Sequence, residues 1–288
     1  MAVIGVDIGA TKTAAGVVSE RAEVLRSLSL PTRAADGYDC SIGQVLLAIE
    51  QCLSPETSAI GMCAPGPLNP KTGVVINPPN LPGWRDVPLA TIVRSRFGLP
   101  CRVENDANAA GLAETMFGAA RGHSSVFYVT LSTGIGAGII LDGRIYHGKN
   151  GFAAEGGHVT IDYASRIVCN CGTPGCIEAL ASGSALARRG IAPEDLAVKV
   201  NAGETEAVRL LDEISEMLGA WLGSIFSLLD PDIIVIGGGV SRIGEPLFSR
   251  LRKIAPARTI NRLAAHTPIV PAMLAENAGI IGAVAVVL

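Results

Sequence analysis

The chain has 288 residues, 49% of them apolar and 4% aromatic, with a formal net charge of -3. That is enough apolar material for one large domain or two smaller ones, while the weakly acidic balance and scarce aromatics exclude a global positive field for nucleic acid or a base-stacking platform. No apolar run reaches the roughly 18 residues of a membrane span, and residues 3–6 lack the length and basic flank of a secretory signal; neither a nucleic-acid nor a membrane partner is expected, and the expected location is cytoplasmic.

The chain opens on an apolar run, residues 3–6, then Asp7-Ile8-Gly9-Ala10-Thr11-Lys12 and a second run, residues 13–18, which together read as a hairpin around a Gly-containing turn. Gly9 lets backbone N–H groups approach phosphate oxygens, Thr11 and Lys12 add a hydroxyl and a charge, and Asp7 has the donor chemistry to hold Mg2+. The same residues fit an ordinary hairpin turn with a surface lysine, and short Gly motifs recur by chance. Residues 41–53 show apolar positions at helical intervals. The Pro- and Gly-rich stretch 64–83 predicts a long loop, of the kind that usually carries function. Residues 101–103 read as extended and 106–117 as an Ala-rich helix. At their junction, Glu104-Asn105-Asp106-Ala107-Asn108 fits helix capping by Asn105 or Asp106. The sharper alternative makes Asp106 a general base for a hydroxyl proton, with Asn105 positioning that hydroxyl.

A second Gly-turn unit follows: residues 127–131, then Ser132-Thr133-Gly134-Ile135-Gly136-Ala137-Gly138, then residues 139–141. The echo suggests two related halves facing each other. This turn has no Lys and is not a P-loop, yet it offers backbone donors and the Thr133 hydroxyl. In isolation it reads as a hairpin whose glycines permit close strand packing; with the first turn it reads as one side of a polyphosphate clamp. Residues 204–229 form the longest helical pattern, and the strand 233–236 ends in Gly237-Gly238-Gly239, which fits a plain strand–helix turn or a close-approach site for a nucleotide's base and ribose. Residues 279–287 predict a closing helix. Strands alternating with helices make the class α/β.

The sharpest local pattern is His158 followed by Cys169-x-Cys171-Gly172-x-x-Gly175-Cys176-x-Glu178. Three thiolates and an imidazole match the closed Cys3His set of structural zinc, and Gly172 and Gly175 let the chain fold tightly about an ion. Cys40, Cys52, Cys63 and Cys101 are scattered and read as buried, reduced thiols. Glu155 and Glu178 flank the cluster, where carboxylates held by a metal-fixed loop accept hydrogen bonds from vicinal hydroxyls; without the cluster they read as solvated surface residues. His123, His147 and His266 are isolated and carry no assigned role.

Taken in order, these motifs resemble the ROK family of sugar kinases and repressors over nearly the whole chain, within the actin/hexokinase-like ATPase fold, and most of all its bacterial glucokinase members. Asp7–Lys12 is similar to the family's first phosphate motif, 132–138 to its second, 234–240 to its adenosine motif, and Ala153-Ala154-Glu155-Gly156-Gly157-His158 to its Gly-Glu-x-Gly-His element. Ala10, Ala154 and Ser132 stand where glycine is frequent. The resemblance implies duplicated ribonuclease H-like lobes: residues 1–115 completed by a C-terminal helix at 276–288, and residues 116–275 carrying the zinc motif. It implies a sugar site of Gly66, Asn80, Asn105, Asp106, Glu155, His158 and Glu178, with His158 serving sugar and zinc through different nitrogens. It implies a nucleotide site of Asp7, Gly9, Thr11, Lys12, Thr133, Gly134, Gly237, Gly238 and Gly239. The expected cofactors are ATP, Mg2+ and structural Zn2+, with His158, Cys169, Cys171 and Cys176 as zinc ligands. The expected activity is transfer of the ATP γ-phosphoryl group to the 6-hydroxyl of a hexose, glucose first, in a homodimer whose lobe closure would exclude water. N-acetylmannosamine, N-acetylglucosamine and fructose are the alternative substrates, and polyphosphate the alternative donor. A DNA-binding, sugar-responsive repressor is expected to carry a helix-turn-helix module ahead of the first phosphate motif, and Asp7 is the seventh residue here. An idle sugar-binding protein is expected to have lost Asp106 or the phosphate turns.

Overall fold

In the computed structural model, which describes residues 2–288, the apolar run at the start of the chain becomes a strand, β1 (Ala2–Ile8), buried along nearly its whole length. A run of Val and Ile without polar alternation suits a strand covered on both faces, inside a layered α/β unit. Two such units make up the chain. One takes the chain up to Arg121 together with Gly143–Ala153 and Leu274–Leu288; the other takes Gly122–Asp142 and Ala154–Met273.

In the first unit β1 is followed by β2 (Lys12–Val18), β3 (Val24–Pro31), α1 (Tyr38–Cys52), β4 (Thr57–Ala64), α2 (Leu89–Phe97), β5 (Cys101–Asn105) and α3 (Asp106–Phe117). The strands lie in the order β3-β2-β1-β4-β5. The β1–β2 and β2–β3 pairs are antiparallel, and β1–β4 and β4–β5 are parallel. The segment 64–83 is not wholly loop, since Leu68–Asn69 pairs antiparallel with Val74–Val75. Strands of two residues are too short to leave a periodic signal in the sequence.

A row of glycines decides how this sheet is covered. Gly16, Gly5 and Gly61 are register partners across β2, β1 and β4. A Cβ on Gly5 would stand 2.2 Å from the carbonyl oxygen of Ile280, and one on Gly61 1.7 Å from that of Ala283. Bare backbone therefore forms a trough in which the closing helix, Ala278–Ala285, lies. On its other side Gly282 approaches α3, where a Cβ would stand 2.9 Å from the carbonyl carbon of Ala109.

The second unit runs through β6 (Ser125–Leu131), β7 (Ile135–Leu141), α4 (Ile177–Ala181), α5 (Gly183–Arg188), α6 (Pro193–Asn201), α7 (Thr205–Leu229), β8 (Ile233–Gly237), α8 (Glu245–Ala257) and β9 (Ile269–Pro271). Within it the strands follow the order β7-β6-β8-β9, antiparallel in the hairpin β6–β7 and parallel from β6 through β8 to β9. A Gly-turn hairpin followed by parallel strands thus occurs in both units, the topology of a duplicated actin-like ATPase. Leu211, Ile214, Leu218, Trp221, Leu222 and Phe226 of α7 are buried in the core of the second unit, where Trp221 meets Phe127 edge-on with ring centroids 5.8 Å apart. Among the described residues no helix is long and apolar enough to cross a membrane.

Candidate active site and metal centre

In the first unit the candidate residues gather at the carboxyl ends of the parallel strands, where open α/β sheets place their ligands. Asp7 of β1 pairs in register with Cys63 of β4, Cys63 with Glu104 of β5, and Ala64 with Asn105. Gly66 lies in the connection that leaves β4. The β1–β2 turn is tied by the Gly9 N–H, which donates to the Lys12 carbonyl at 2.9 Å. The Thr32 hydroxyl donates to the Gly9 carbonyl at 2.7 Å and lies 3.0 Å from the Thr13 hydroxyl. Ala10, Thr11 and Lys12 are exposed at its tip. Burial raises the Asp7 carboxyl above its ordinary value, with the Lys12 charge and the Cys63 thiol opposing. A half-buried, hard oxygen donor of this kind fits Mg2+. Asn80 is exposed in a turn closed by the Leu81 N–H donating to the Pro78 carbonyl at 3.1 Å.

Capping at the β5–α3 junction falls to Asn105. Its Oδ1 accepts the N–H groups of Ala107 at 3.0 Å and Asn108 at 3.2 Å, the usual work of an Asn cap. Asp106 is the first helical residue and is exposed, with Oδ1 accepting the Ala107 N–H at 2.8 Å. Glu104 is buried beside them, and its Oε2 lies 2.7 Å from His147 Nε2. Nothing in the sequence pattern marks that partner, because 43 residues separate the two.

In the second unit the β6–β7 turn is closed by the Ser132 N–H donating to the Gly134 carbonyl at 2.9 Å. It is docked on α5 by the Gly183 and Ser184 N–H groups, which donate to the Ser132 and Thr133 carbonyls at 2.7 and 3.0 Å. Glu178, in the first turn of α4, lies over the same turn, and its Oε2 accepts the Ile135 N–H at 2.9 Å. A Cβ on Gly134 would stand 2.4 Å from that oxygen. Gly238, at φ 90°, presses onto the end of β6, where a Cβ would be 2.3 Å from the Leu131 carbonyl oxygen. Gly237 packs against Tyr128, and Gly239 faces open space. The β6–β7 turn and the Gly-rich turn are thus neighbours at the ends of adjacent strands, and Gly239 leaves room for a ligand to approach.

His158, Cys169, Cys171 and Cys176 offer ligand atoms that all lie within 4.8 Å of one another. His158 Nδ1 is 3.5 Å from Cys169 Sγ, and Cys171 Sγ is 3.6 Å from Cys176 Sγ. A tetrahedron with Zn–S bonds of about 2.3 Å has S···S edges of roughly 3.8 Å, so the donor set fits zinc in chemistry and in size. Gly172 at φ 89° and Gly175 at φ 74° make the turns that wrap the cluster. Burial opposes a charge on Cys171, but hydrogen bonds involving Thr173, Cys176 and Cys169 bring its thiol down to about 7. Burial and the Cys171 hydrogen bond push Cys176 up to about 12. A divalent cation is what would let all three thiolates coexist.

The same loop sets the flanking carboxylates. A Cβ on Gly157 would stand 1.9 Å from the Ile135 carbonyl oxygen, and one on Gly156 would be 3.0 Å from the Trp221 ring. These contacts hold Glu155 and His158 against β7. His158 Nε2, on the side away from Cys169, is 4.0 Å from Glu155 Oε2. Glu178 Oε1 accepts from the Cys169 thiol at 3.5 Å. Burial raises the Glu155 carboxyl, with His158 opposing and Glu178 adding to the rise. Ala154 adopts φ 69°, a left-handed backbone that favours glycine; its place just before Glu155 is one where the resemblance expects glycine.

A family model described as the ROK family matches residues 3–288. The chain is 34% identical to the glucokinase of Thermotoga maritima, over 99% of this chain and 96% of that protein. It is similar to the crystal structure of the ROK hexokinase from Thermus thermophilus, with a TM-score of 0.85 and 35% identity over 99% of this chain and 97% of that one. It is equally similar, with a TM-score of 0.85 and 34% identity over 98% of each chain, to a ROK family glucokinase from Streptomyces griseus in complex with glucose and AMPPNP. Motif order, duplicated topology and full-length similarity agree, and the chain belongs to the ROK family.

Proposed function

We propose that this chain is an ATP-dependent glucose kinase that transfers the γ-phosphoryl group to the sugar 6-hydroxyl, with Asp106 as the general base. The observation that carries the assignment of the base is the division of labour at the start of α3. Asn105 caps the helix, and Asp106 presents an exposed carboxylate at the carboxyl edge of the sheet. Similarity to the Thermotoga maritima glucokinase and to the glucose- and AMPPNP-bound Streptomyces griseus glucokinase supports the substrates. A sugar-binding relative without catalysis has no use for Asp106 or the two phosphate turns, all of which are present.

In this account Asp106 takes the 6-hydroxyl proton as the new O–P bond forms and the bond from the γ-phosphorus to the β,γ-bridging oxygen breaks. Asn105, its Oδ1 occupied by the cap, offers Nδ2 to a sugar oxygen, and Gly66 and Asn80 add contacts on the same unit. Glu155 and Glu178 accept hydrogen bonds from sugar hydroxyls, and His158, with Nδ1 facing the cluster, donates through its Nε2–H. A metal-bound Cys169 has no proton to give, so Glu178 Oε1 is then open to a sugar hydroxyl. Zinc at His158, Cys169, Cys171 and Cys176 supplies rigidity. Amides of the turns around Gly9 and Gly134, with Lys12, Thr11 and Thr133, hold phosphate oxygens, and Gly237, Gly238 and Gly239 adjoin the base and ribose. Mg2+, held through Asp7, supplies charge neutralisation on the phosphates. The working protein is a homodimer in this proposal. A coupled assay across hexoses and N-acetylhexosamines, run with ATP and with polyphosphate, tests it. Glucose with ATP is expected to give the highest kcat/KM, and a clear preference for N-acetylmannosamine or polyphosphate would overturn the assignment.

A further inference from the structure

We propose that His147 is a positioning residue for the reaction, acting through Glu104 on Asn105 and Asp106; this rests on Asp106 being the base. The Glu104 side chain is only 4% exposed, and both of its oxygens are engaged. Oε1 accepts the backbone N–H of Asn105 at 2.9 Å and the side-chain amide of Asn108 at 3.1 Å. Oε2 is held by His147 Nε2 at 2.7 Å. Asn105 and Asn108 are the two ends of the cap, since Asn105 Oδ1 accepts the Asn108 N–H. The carboxylate of Glu104 therefore holds the Asn105 backbone before Asp106 and the Asn108 side chain after it, in the turn that aims the base.

His147 is the only partner that reaches this buried carboxylate from outside β5 and α3 among the hydrogen bonds of the described residues. It sits in the segment after Arg144–Ile145, and its carbonyl accepts the Ala153 N–H at 3.2 Å. Removing the imidazole leaves Oε2 buried without a donor. A buried carboxylate in that position must recruit water, turn away or take up a proton, and each response loosens Oε1 from the Asn105 N–H. The cap then shifts while the nucleotide turn at Gly9–Lys12, tied by Thr32, does not. Small displacements of a base are costly in rate, up to about 100-fold for about 1 Å.

The test compares His147→Ala and His147→Gln with Asp106→Asn, using the full chain loaded with its metal. In His147→Ala, kcat is expected to fall about 10- to 100-fold and the KM for sugar to rise, with the KM for ATP unchanged. Exchange of the Asn105 amide hydrogen is expected to quicken. His147→Gln, whose side-chain amide reaches the place of Nε2, is expected to restore kcat and amide protection. Unchanged kcat and Asn105 protection in His147→Ala would overturn the proposal, as would a glutamine variant as impaired as the alanine one at equal thermal stability. Turnover surviving in Asp106→Asn sinks the base assignment itself; an inactive Asp106→Asn beside an unaffected His147→Ala sinks only the role of His147.

Discussion

Replacing Cys171 with Ser tests the proposal that a zinc ion in the Cys3His cluster orders the candidate sugar groups. Cys171 is exposed and its sulfur partner is Cys176 at 3.6 Å, whereas Cys169 lies 3.5 Å from both His158 Nδ1 and Glu178 Oε1. Substitution at Cys169 would disturb the candidate sugar groups directly; at Cys171 it acts on them through a shared ion and through the neighbouring thiols of Cys169 and Cys176. Loss of one thiolate from a closed Cys3His set is expected to weaken zinc by more than the 10- to 100-fold typical of an outer partner. With the ion gone, Cys169 regains its proton and again donates to Glu178 Oε1, and His158 loses what fixes its tautomer. Two hydrogen bonds involving a charged or polarised partner, each worth about 1.5 kcal/mol, correspond to roughly a 100-fold loss of sugar affinity. Nucleotide affinity is expected to change less than about 3-fold, roughly 0.7 kcal/mol, because the turn at Gly9 lies outside the cluster and the turn at Gly134, although it touches Glu178, keeps its backbone bonds to α5. Zinc per chain by elemental analysis, with separate calorimetric titrations of glucose and AMPPNP, reads all three quantities. A zinc-free wild-type chain, or a variant without metal that binds glucose normally, refutes the reasoning.

Three further outcomes follow from particular atoms. Ala154→Gly removes a left-handed alanine at φ 69° and is expected to stabilise the protein by about 0.5–1 kcal/mol, raising Tm by roughly 1–4 °C; a fall in Tm by calorimetry would contradict it. Gly61→Ala puts a methyl 1.7 Å from the Ala283 carbonyl oxygen, so the closing helix must leave its trough, at a cost of about 3 kcal/mol or more in denaturant unfolding; a loss under about 0.5 kcal/mol would mean the helix is not seated as described. Burial holds the folded Glu155 carboxyl above its ordinary value, so as pH falls it takes up its proton early and ceases to accept hydroxyl hydrogen bonds. The acid limb of kcat/KM for glucose is therefore expected at higher pH than an unshifted glutamate would give, and to vanish in Glu155→Gln. The stability contribution has the opposite sense: the folded state binds this proton more tightly than the unfolded chain, so stability from this group is lost as pH rises through the folded value.

Elements built from long periodic runs were legible in the sequence. The helix expected at 204–229 is observed at Thr205–Leu229, that at 106–117 at Asp106–Phe117, and the closing helix at Ala278–Ala285. Both Gly-turn hairpins and the strand ending in Gly237 also appear where the pattern put them. The Cys3His atoms converge because their spacing is local, within one loop and its lead-in. What stayed hidden depends on register between distant segments. Gly5 and Gly61 look like weak points in strands until pairing sets them side by side beneath the closing helix, where Gly5 meets Ile280 and Gly61 meets Ala283. His147 looks isolated because its partner Glu104 lies 43 residues back, on β5, and the Ile135 N–H on Glu178 is likewise a contact across 43 residues. The strain at Ala154 is a backbone angle, which a small side chain does not announce.

The central claim, that Asp106 takes the hydroxyl proton while other groups bind the substrates, is tested most directly by Asp106→Asn. The amide is nearly isosteric with the carboxylate and keeps an oxygen for the Ala107 N–H that Asp106 Oδ1 now accepts at 2.8 Å, so the start of α3 is retained. Single-turnover transfer to glucose is compared with calorimetric binding of glucose and AMPPNP in the same preparation. The account predicts a fall in transfer of about 10²–10⁴-fold, with glucose and AMPPNP affinities within a few-fold of the unsubstituted protein. Near-normal transfer, or a loss of transfer fully matched by a loss of glucose binding, would contradict it.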